Sequence, residues 1–168
     1  MPTWREPIDH RPAADGDLRD VHAIYHDESA SPHLGFDPCD PDTFAPIFED
    51  LRAGGALRVA CVGGRVLGVY AVNRLTRRMS HVAELSSVAV SPEARGTGFA
   101  RAMVRDVIEA MRADGVRRVQ LTVSADNARG IAFWTAMGFE HEGVHRAYFT
   151  RAGRDGDFDE VSMAMLIQ

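Results

Sequence analysis

Residues 141–145 read HEGVH, two histidines four apart with a glutamate after the first. On a helix those letters bind zinc and place a carboxylate to act as base in peptide hydrolysis. His22 and His26 repeat the spacing. A third constellation is ARGTGFA, residues 94–100, between an apolar run ending at Val90 and a run with helical spacing. Small residues there let backbone N–H groups converge on an anion, and the helix N-terminus adds favourable charge. Arg95 offers a fork for phosphate oxygens. No Gly-Lys-Ser/Thr follows, as a P-loop requires, and Arg101 stands where a dinucleotide fingerprint has its third glycine. Last, Glu84 interrupts the apolar run HVAELSSVAV, a costly place for a carboxylate unless it is used or paired.

The elements around these groups decide which chemistry is available. REPIDHRPA reads as a short first strand, and residues 17–27 place Leu18, Val21, Ile24 and Tyr25 at helical spacing. The Pro- and Ser-rich stretch 29–41 is a loop. Asp40 and Pro41 then open a second helix, which stops at Gly54-Gly55. ALRVACV, a Gly-Gly turn and RVLGVYAV form a hairpin. Residues 79–90 are a further strand, with Glu84 on one face with Val82 and Val88. Pro92 begins a turn, and Gly98 to Asp114 is a helix with Phe99, Met103, Val107 and Met111 in one stripe. VRRVQLTV alternates as a strand, Asn127 caps a helix closed by Gly138, and the tail is a strand hairpin. Mixed strands and helices with an antiparallel start and finish predict a mixed α/β (α+β) sheet and exclude an all-parallel doubly wound one.

HEGVH falls after Gly138 and inside this last hairpin. In a strand, residues four apart are roughly 13 Å apart, whereas zinc needs both nitrogens at about 2 Å. No metal is therefore expected there, and a solvated helix face is the reading for His22 and His26. The 168 residues suit one domain, 1–168. A net charge of −5 argues against sequence-independent nucleic-acid binding. No apolar run approaches a membrane span, and the N-terminus lacks the apolar core of a signal peptide. Cys61 lies in an apolar run and Cys39 in a loop, with no disulfide framework, so a reducing cytoplasm is the expected setting.

Taken together, these segments resemble the GCN5-related N-acetyltransferases (GNAT family). Arg95-Gly96-Thr97-Gly98-Phe99-Ala100 fits the family's Arg/Gln-x-x-Gly-x-Gly/Ala motif, and NARGIAFWTAMGF, Asn127 to Phe139, fits a second that begins with Asn and ends in Gly-Phe. The resemblance implies the GNAT fold, a central mostly antiparallel sheet with flanking helices, and acetyl-CoA as co-substrate. The pyrophosphate would sit on residues 95–100. The pantetheine arm would pair with Val88, Ala89 and Val90 as an added strand, and Asn127 would reach the arm or the adjacent backbone besides capping its helix. Within the family, RRMSHVAEL, Asp126-Asn127-Ala128 and the tail are similar to enzymes that acetylate free L-amino acids and related small amines. Ribosomal-protein acetyltransferases tend to carry a glutamate in the fifth strand, where this chain has Thr122.

The implied reaction is direct transfer to a neutral amine, with an N–H near Val88 facing the developing oxyanion. Glu84 falls where several members keep a catalytic glutamate and is the candidate base; pairing with a neighbouring arginine is its alternative. His81 is the second candidate. The family often protonates the leaving thiolate with a tyrosine, but Trp134 stands there. An indole cannot supply that proton, which leaves Tyr148 or water as the acid and Trp134 to pack against the cofactor or the core. Loop 29–41 and NRLTRRMSH would select the acceptor, with Arg74, Arg77, Arg78 or Arg146 to attract a carboxylate. The leading expectation is an N-acetyltransferase acting on a small primary amine, with no metal, nucleic acid or membrane partner. A homodimer is allowed by the sequence without being required by it. The alternatives are a non-catalytic acyl-CoA sensor on the same fold and acetylation of a protein, peptide or polyamine amine.

Overall fold

A computed structural model describes residues 3–168. Seven strands form one sheet: β1 (Asp9–Pro12), β2 (Leu57–Val62), β3 (Arg65–Arg74), β4 (Val82–Val90), β5 (Arg118–Ser124), β6 (Glu140–Phe149) and β7 (Phe158–Leu166). Their order is β1-β2-β3-β4-β5-β7-β6. Four helices accompany them: α1 (Leu18–Tyr25), α2 (Pro41–Ala53), α3 (Phe99–Ala113) and α4 (Ala128–Met137). β1–β2, β2–β3, β5–β7 and β6–β7 pair antiparallel, and β4–β5 pair parallel. This is the mixed α/β arrangement expected from the pattern, with the mostly antiparallel sheet that the resemblance implied.

The chain forms two compact units. The first runs to Val72 and adds Ser87–Asp106; the second comprises Asn73–Ser86 and Val107–Gln168. In the first, Asp40 caps α2 by accepting the Asp42 and Thr43 amides, both at 3.0 Å, with Pro41 in the first turn, where a missing N–H costs nothing. Val21, Ile24 and Tyr25 bury the apolar stripe of α1 among Phe44, Phe48, Leu57, Val59 and Val69. Gly63 and Gly64 both take positive φ, 56° and 82°, as a tight hairpin turn demands. Gly68 in β3 admits α3: an added Cβ would lie 2.4 Å from the Met103 sulfur.

In the second unit, Phe139, Met163, Ile167, Val119 and Leu121 are buried. Asn127 caps α4, accepting the Gly130 amide at 2.8 Å. Gly138 closes it in the left-handed conformation, φ 99°, where a side chain is disfavoured.

Four element boundaries differ from the sequence reading. The first strand covers only Asp9–Pro12 of REPIDHRPA, because Pro7 ahead of it and Pro12 at its end offer no N–H to a ladder. β4 starts at Val82, since Arg77–Met79 form a 3-10 turn with Arg77 at φ 57°. Loop 29–41 contains a 3-10 turn at Ser31–His33. α3 starts at Phe99 because Gly98 has φ 91°. Residues 141–145 are strand, as expected.

Candidate functional site

In the first unit β4 runs into a 3-10 turn, Pro92–Ala94, then Arg95–Gly98, then α3. Gly96 and Gly98 are both left-handed, φ 74° and 91°. Left-handed residues two apart in a loop can turn successive amides toward one side; the Arg95 amide is already used, donating to the Pro92 carbonyl at 3.2 Å. The Thr97 hydroxyl donates to the Ala94 carbonyl at 2.7 Å and accepts the Phe99 amide at 3.3 Å, bracing the turn. The first-turn amides of a helix have no acceptor within it. A Cβ built on Gly96 would meet nothing within 4 Å, so the loop is open at Gly96. Open amides over a helix N-terminus suit a pyrophosphate. Phe99 contributes only backbone here: its ring is fully buried, edge-on to Trp4 at 5.2 Å. Ala100 lies in the first turn of α3.

Arg95 departs from its expected role as a free phosphate fork. Its guanidinium pairs with Asp27 at 2.7 Å, donates to the Ser29 hydroxyl at 2.6 Å and to the Val90 carbonyl at 3.2 Å. Asp27 is held below the usual carboxylate range, first by the hydrogen bond from Ser29 and then by Arg95. Just upstream, Ser87 has φ 51°, and its carbonyl accepts the hydroxyl of buried Tyr25 at 2.8 Å. This kink breaks the period-two pleat. The rule that put Glu84 on one face with Val88 therefore does not carry across Ser87. Val88 and Val90 are half-buried and Ala89 buried. Sequence reading missed Tyr25, Asp27 and Ser29 as neighbours of this segment. The Asp-x-Ser spacing after a helix is a turn signal, but it names no long-range partner.

In the second unit, Glu84 lies in β4 opposite Gln120 of β5 and is half-buried. Among the described residues its carboxylate has no hydrogen bond or ion pair, which removes the arginine-paired alternative. Arg118, close by in β5, is bound instead to Glu142, Nη1 to Oε1 at 2.7 Å. His81 sits just before β4, and its carbonyl accepts the amides of Arg117 and Arg118 at 2.8 and 3.2 Å. Asn127 uses its carbonyl oxygen on the cap, which leaves its side-chain NH2 to donate elsewhere. Trp134 belongs to the core: it is 8% exposed, between Phe133 and Phe139 at 5.0 and 5.2 Å. That leaves almost no indole surface for a cofactor. Tyr148 is exposed on β6 beside His145, ring centroids 5.1 Å apart. Arg74 is taken up by Asp114 and the Ser80 carbonyl, so it is not available to a substrate carboxylate. Arg77, Arg78 and Arg146 are exposed. Among the described residues no three His, Cys, Asp or Glu side chains converge as a metal site would need.

Residues 21–139 match the model of the acetyltransferase (GNAT) family. The chain belongs to the GNAT family. The L-amino acid N-acetyltransferase AaaT of Escherichia coli is 36% identical over 107 residues, 61% of this chain and 64% of that protein. The chain thus spans less than two thirds of that relative's length. A solved ribosomal-protein-alanine N-acetyltransferase from Brucella melitensis superposes with a TM-score of 0.73 at 28% identity, over 94% of this chain and 99% of that one. A GNAT phosphinothricin acetyltransferase from Sinorhizobium meliloti, solved with AcCoA, gives a TM-score of 0.71 at 26% identity, over 95% and 88%. This GNAT chain shares with them a mixed sheet flanked by helices.

Proposed function

We propose that this GNAT protein transfers acetyl from acetyl-CoA to the primary amine of a small molecule, with a free amino acid as the leading acceptor class. The observation that carries the reading is the Arg95–Ala100 turn. Its two left-handed glycines open a row of amides at the start of α3, in a chain whose residues 21–139 match the family. Acetyl-CoA would lay its pyrophosphate on these amides and its pantetheine arm along Val88–Val90. The reading takes residues 1–168 as one GNAT domain, because β3, β4 and α3 each contribute residues to both compact units.

The amine nitrogen attacks the thioester carbonyl carbon, a tetrahedral oxyanion forms, and the C–S bond breaks to release CoA thiolate. An amide near Val88 is the donor assigned to the oxyanion. Glu84 takes the proton that the amine loses, and its unpaired carboxylate supports that role; His81 is the second candidate. The thiolate takes its proton from Tyr148 or from water. A thiol pKa of about 8.5 makes an acid helpful but not obligatory.

The acceptor class draws support from the names of the relatives. One acts on L-amino acids and another on a ribosomal-protein alanine, and each offers an α-amine. Such an amine titrates near about pH 8, so a modest carboxylate base suffices, whereas a lysine or polyamine amine near about 10.4 demands more. The protein-directed reading remains the second one, favoured by the 28%-identical Brucella structure. A panel of amines and N-terminal peptides incubated with acetyl-CoA and scored by free-thiol release tests both. Acceptor-dependent release with amino acids is the expected result. Release with peptides alone would transfer the proposal to protein N-termini. Tight acetyl-CoA binding with no acceptor-dependent release would make the protein a sensor.

A further inference from the structure

Two residues around the end of α1 grip the segment assigned above to acetyl-CoA. Tyr25, fully buried, donates its hydroxyl to the Ser87 carbonyl at 2.8 Å. Ser87 holds φ 51°, a conformation that a serine disfavours and that persists only where the surroundings fix it. It immediately precedes Val88–Val90. Asp27 lies just past the helix and pairs with Arg95 at 2.7 Å. Ser29, whose amide and hydroxyl both donate to the Asp27 carboxylate at 3.1 and 2.7 Å, supplies Arg95 with a further acceptor at 2.6 Å. The Val90 carbonyl takes the other arm of the guanidinium at 3.2 Å. Arg95 is thereby drawn across from the end of β4 to the end of α1. Engagement at three protein acceptors makes it a strut rather than a free phosphate ligand.

We infer that Tyr25 and Asp27 are positioning residues for acetyl-CoA. Tyr25 fixes the Ser87 kink that aims the Val88–Val90 backbone at the pantetheine arm. Asp27 locks Arg95, so that the pyrophosphate is held by the loop amides. The inference rests on the acetyl-CoA reading above. It goes beyond that reading in giving the phosphate motif's arginine a structural partner and a different task. It also ties the loop expected to choose the acceptor, residues 29–41, to the cofactor loop, because Ser29 begins it.

Calorimetry with two ligands separates the two roles. Coenzyme A carries both pyrophosphate and pantetheine; 3′-phosphoadenosine 5′-diphosphate carries the nucleotide and its phosphates without the pantetheine. Asp27→Ala is expected to weaken both by about tenfold, the loss of a charge-assisted contact. Asp27→Asn, which keeps an oxygen for Arg95, should lose less. Tighter or unchanged binding in Asp27→Ala overturns the strut, because a fork restrained by Asp27 would be set free. Tyr25→Phe is expected to weaken coenzyme A by about fivefold and leave the fragment unchanged. Adding Ser87→Gly should restore coenzyme A binding, since glycine takes positive φ unaided. Equal loss of both ligands, no loss, or no rescue overturns the Tyr25 role, and the rescued chain also shows whether Tyr25→Phe merely misfolded. Wild-type protein that binds neither ligand overturns the acetyl-CoA reading and this inference with it. Wild-type binding with unaltered variants overturns this inference alone.

Discussion

The two compact units treat their functional groups differently. In the first, three polar side chains on or beside the Arg95–Gly98 loop and the strand before it are tied down: Arg95 by Asp27 and Ser29, Thr97 by the Ala94 carbonyl, Tyr25 by Ser87. In the second, Glu84 has no partner among the described residues and Tyr148 is 59% exposed. The proposed acetyl-CoA surface is made of backbone amides, which work only if the backbone is held still, and in that reading the side chains serve as braces. In the proposed reading Glu84 is the proton acceptor, and such a group must stay open to the proton it takes, without a competing donor.

Five experiments would break or sharpen that contrast. Glu84→Gln should lower turnover by about 100-fold, with coenzyme A affinity and melting temperature unchanged. Unaltered turnover at every pH would remove Glu84 as base. Asp17→Ala addresses the braced unit. Its buried carboxylate takes two hydrogen bonds from Arg11, at 2.6 and 2.8 Å, and the Ala14 amide at 2.7 Å. Their loss should lower stability by about 2 kcal/mol in denaturant melts, and a shift near zero would show that the brace is dispensable. Gly96→Val forces a β-branched residue to φ 74° in open space and should weaken coenzyme A about tenfold. Asn127→Ala tests a group with two duties. The lost cap should reduce stability by about 1 kcal/mol, and a parallel loss of acetyl-CoA affinity would add the ligand role to the cap.

The smallest effect concerns pH. Burial holds His10 and His26 below the ordinary histidine value. The unfolded chain therefore binds protons first as pH falls. Stability from these two groups is fully present above about 6.5 and declines below it. The melting temperature should drop between pH 7 and 5, less so in His26→Gln; a flat profile would contradict the sign.

Much of the architecture was legible because its signals are local. The period of apolar residues marked α1, α3 and β5. The Asp40-Pro41 cap, the Gly63-Gly64 turn and the Gly138 stop are each complete within a few residues. HEGVH could be assigned to a strand for the same reason, since the glycine stop just ahead of it is readable from spacing. The open points and misreadings cluster where a residue's state depends on its tertiary neighbours. For Trp134 the spacing allowed cofactor or core, and only its enclosure by Phe133 and Phe139 decides for the core. Arg74, one of four arginines the sequence offered for a carboxylate, is held by Asp114, 40 residues on. Glu84 and Val88 have even spacing, but the Ser87 kink intervenes, and Ser87 is pinned by Tyr25, 62 residues away.

Sequence by itself determined the kinds and order of the elements and the small-residue turn that can cradle an anion, because hydrophobic period, caps and glycine conformations are set by neighbours in the chain. Only the tertiary structure decided what each charged or kinked residue does there. A guanidinium has the same letter whether it faces a phosphate or is locked to Asp27. Which acceptor it finds depends on chain segments that meet only when the fold closes.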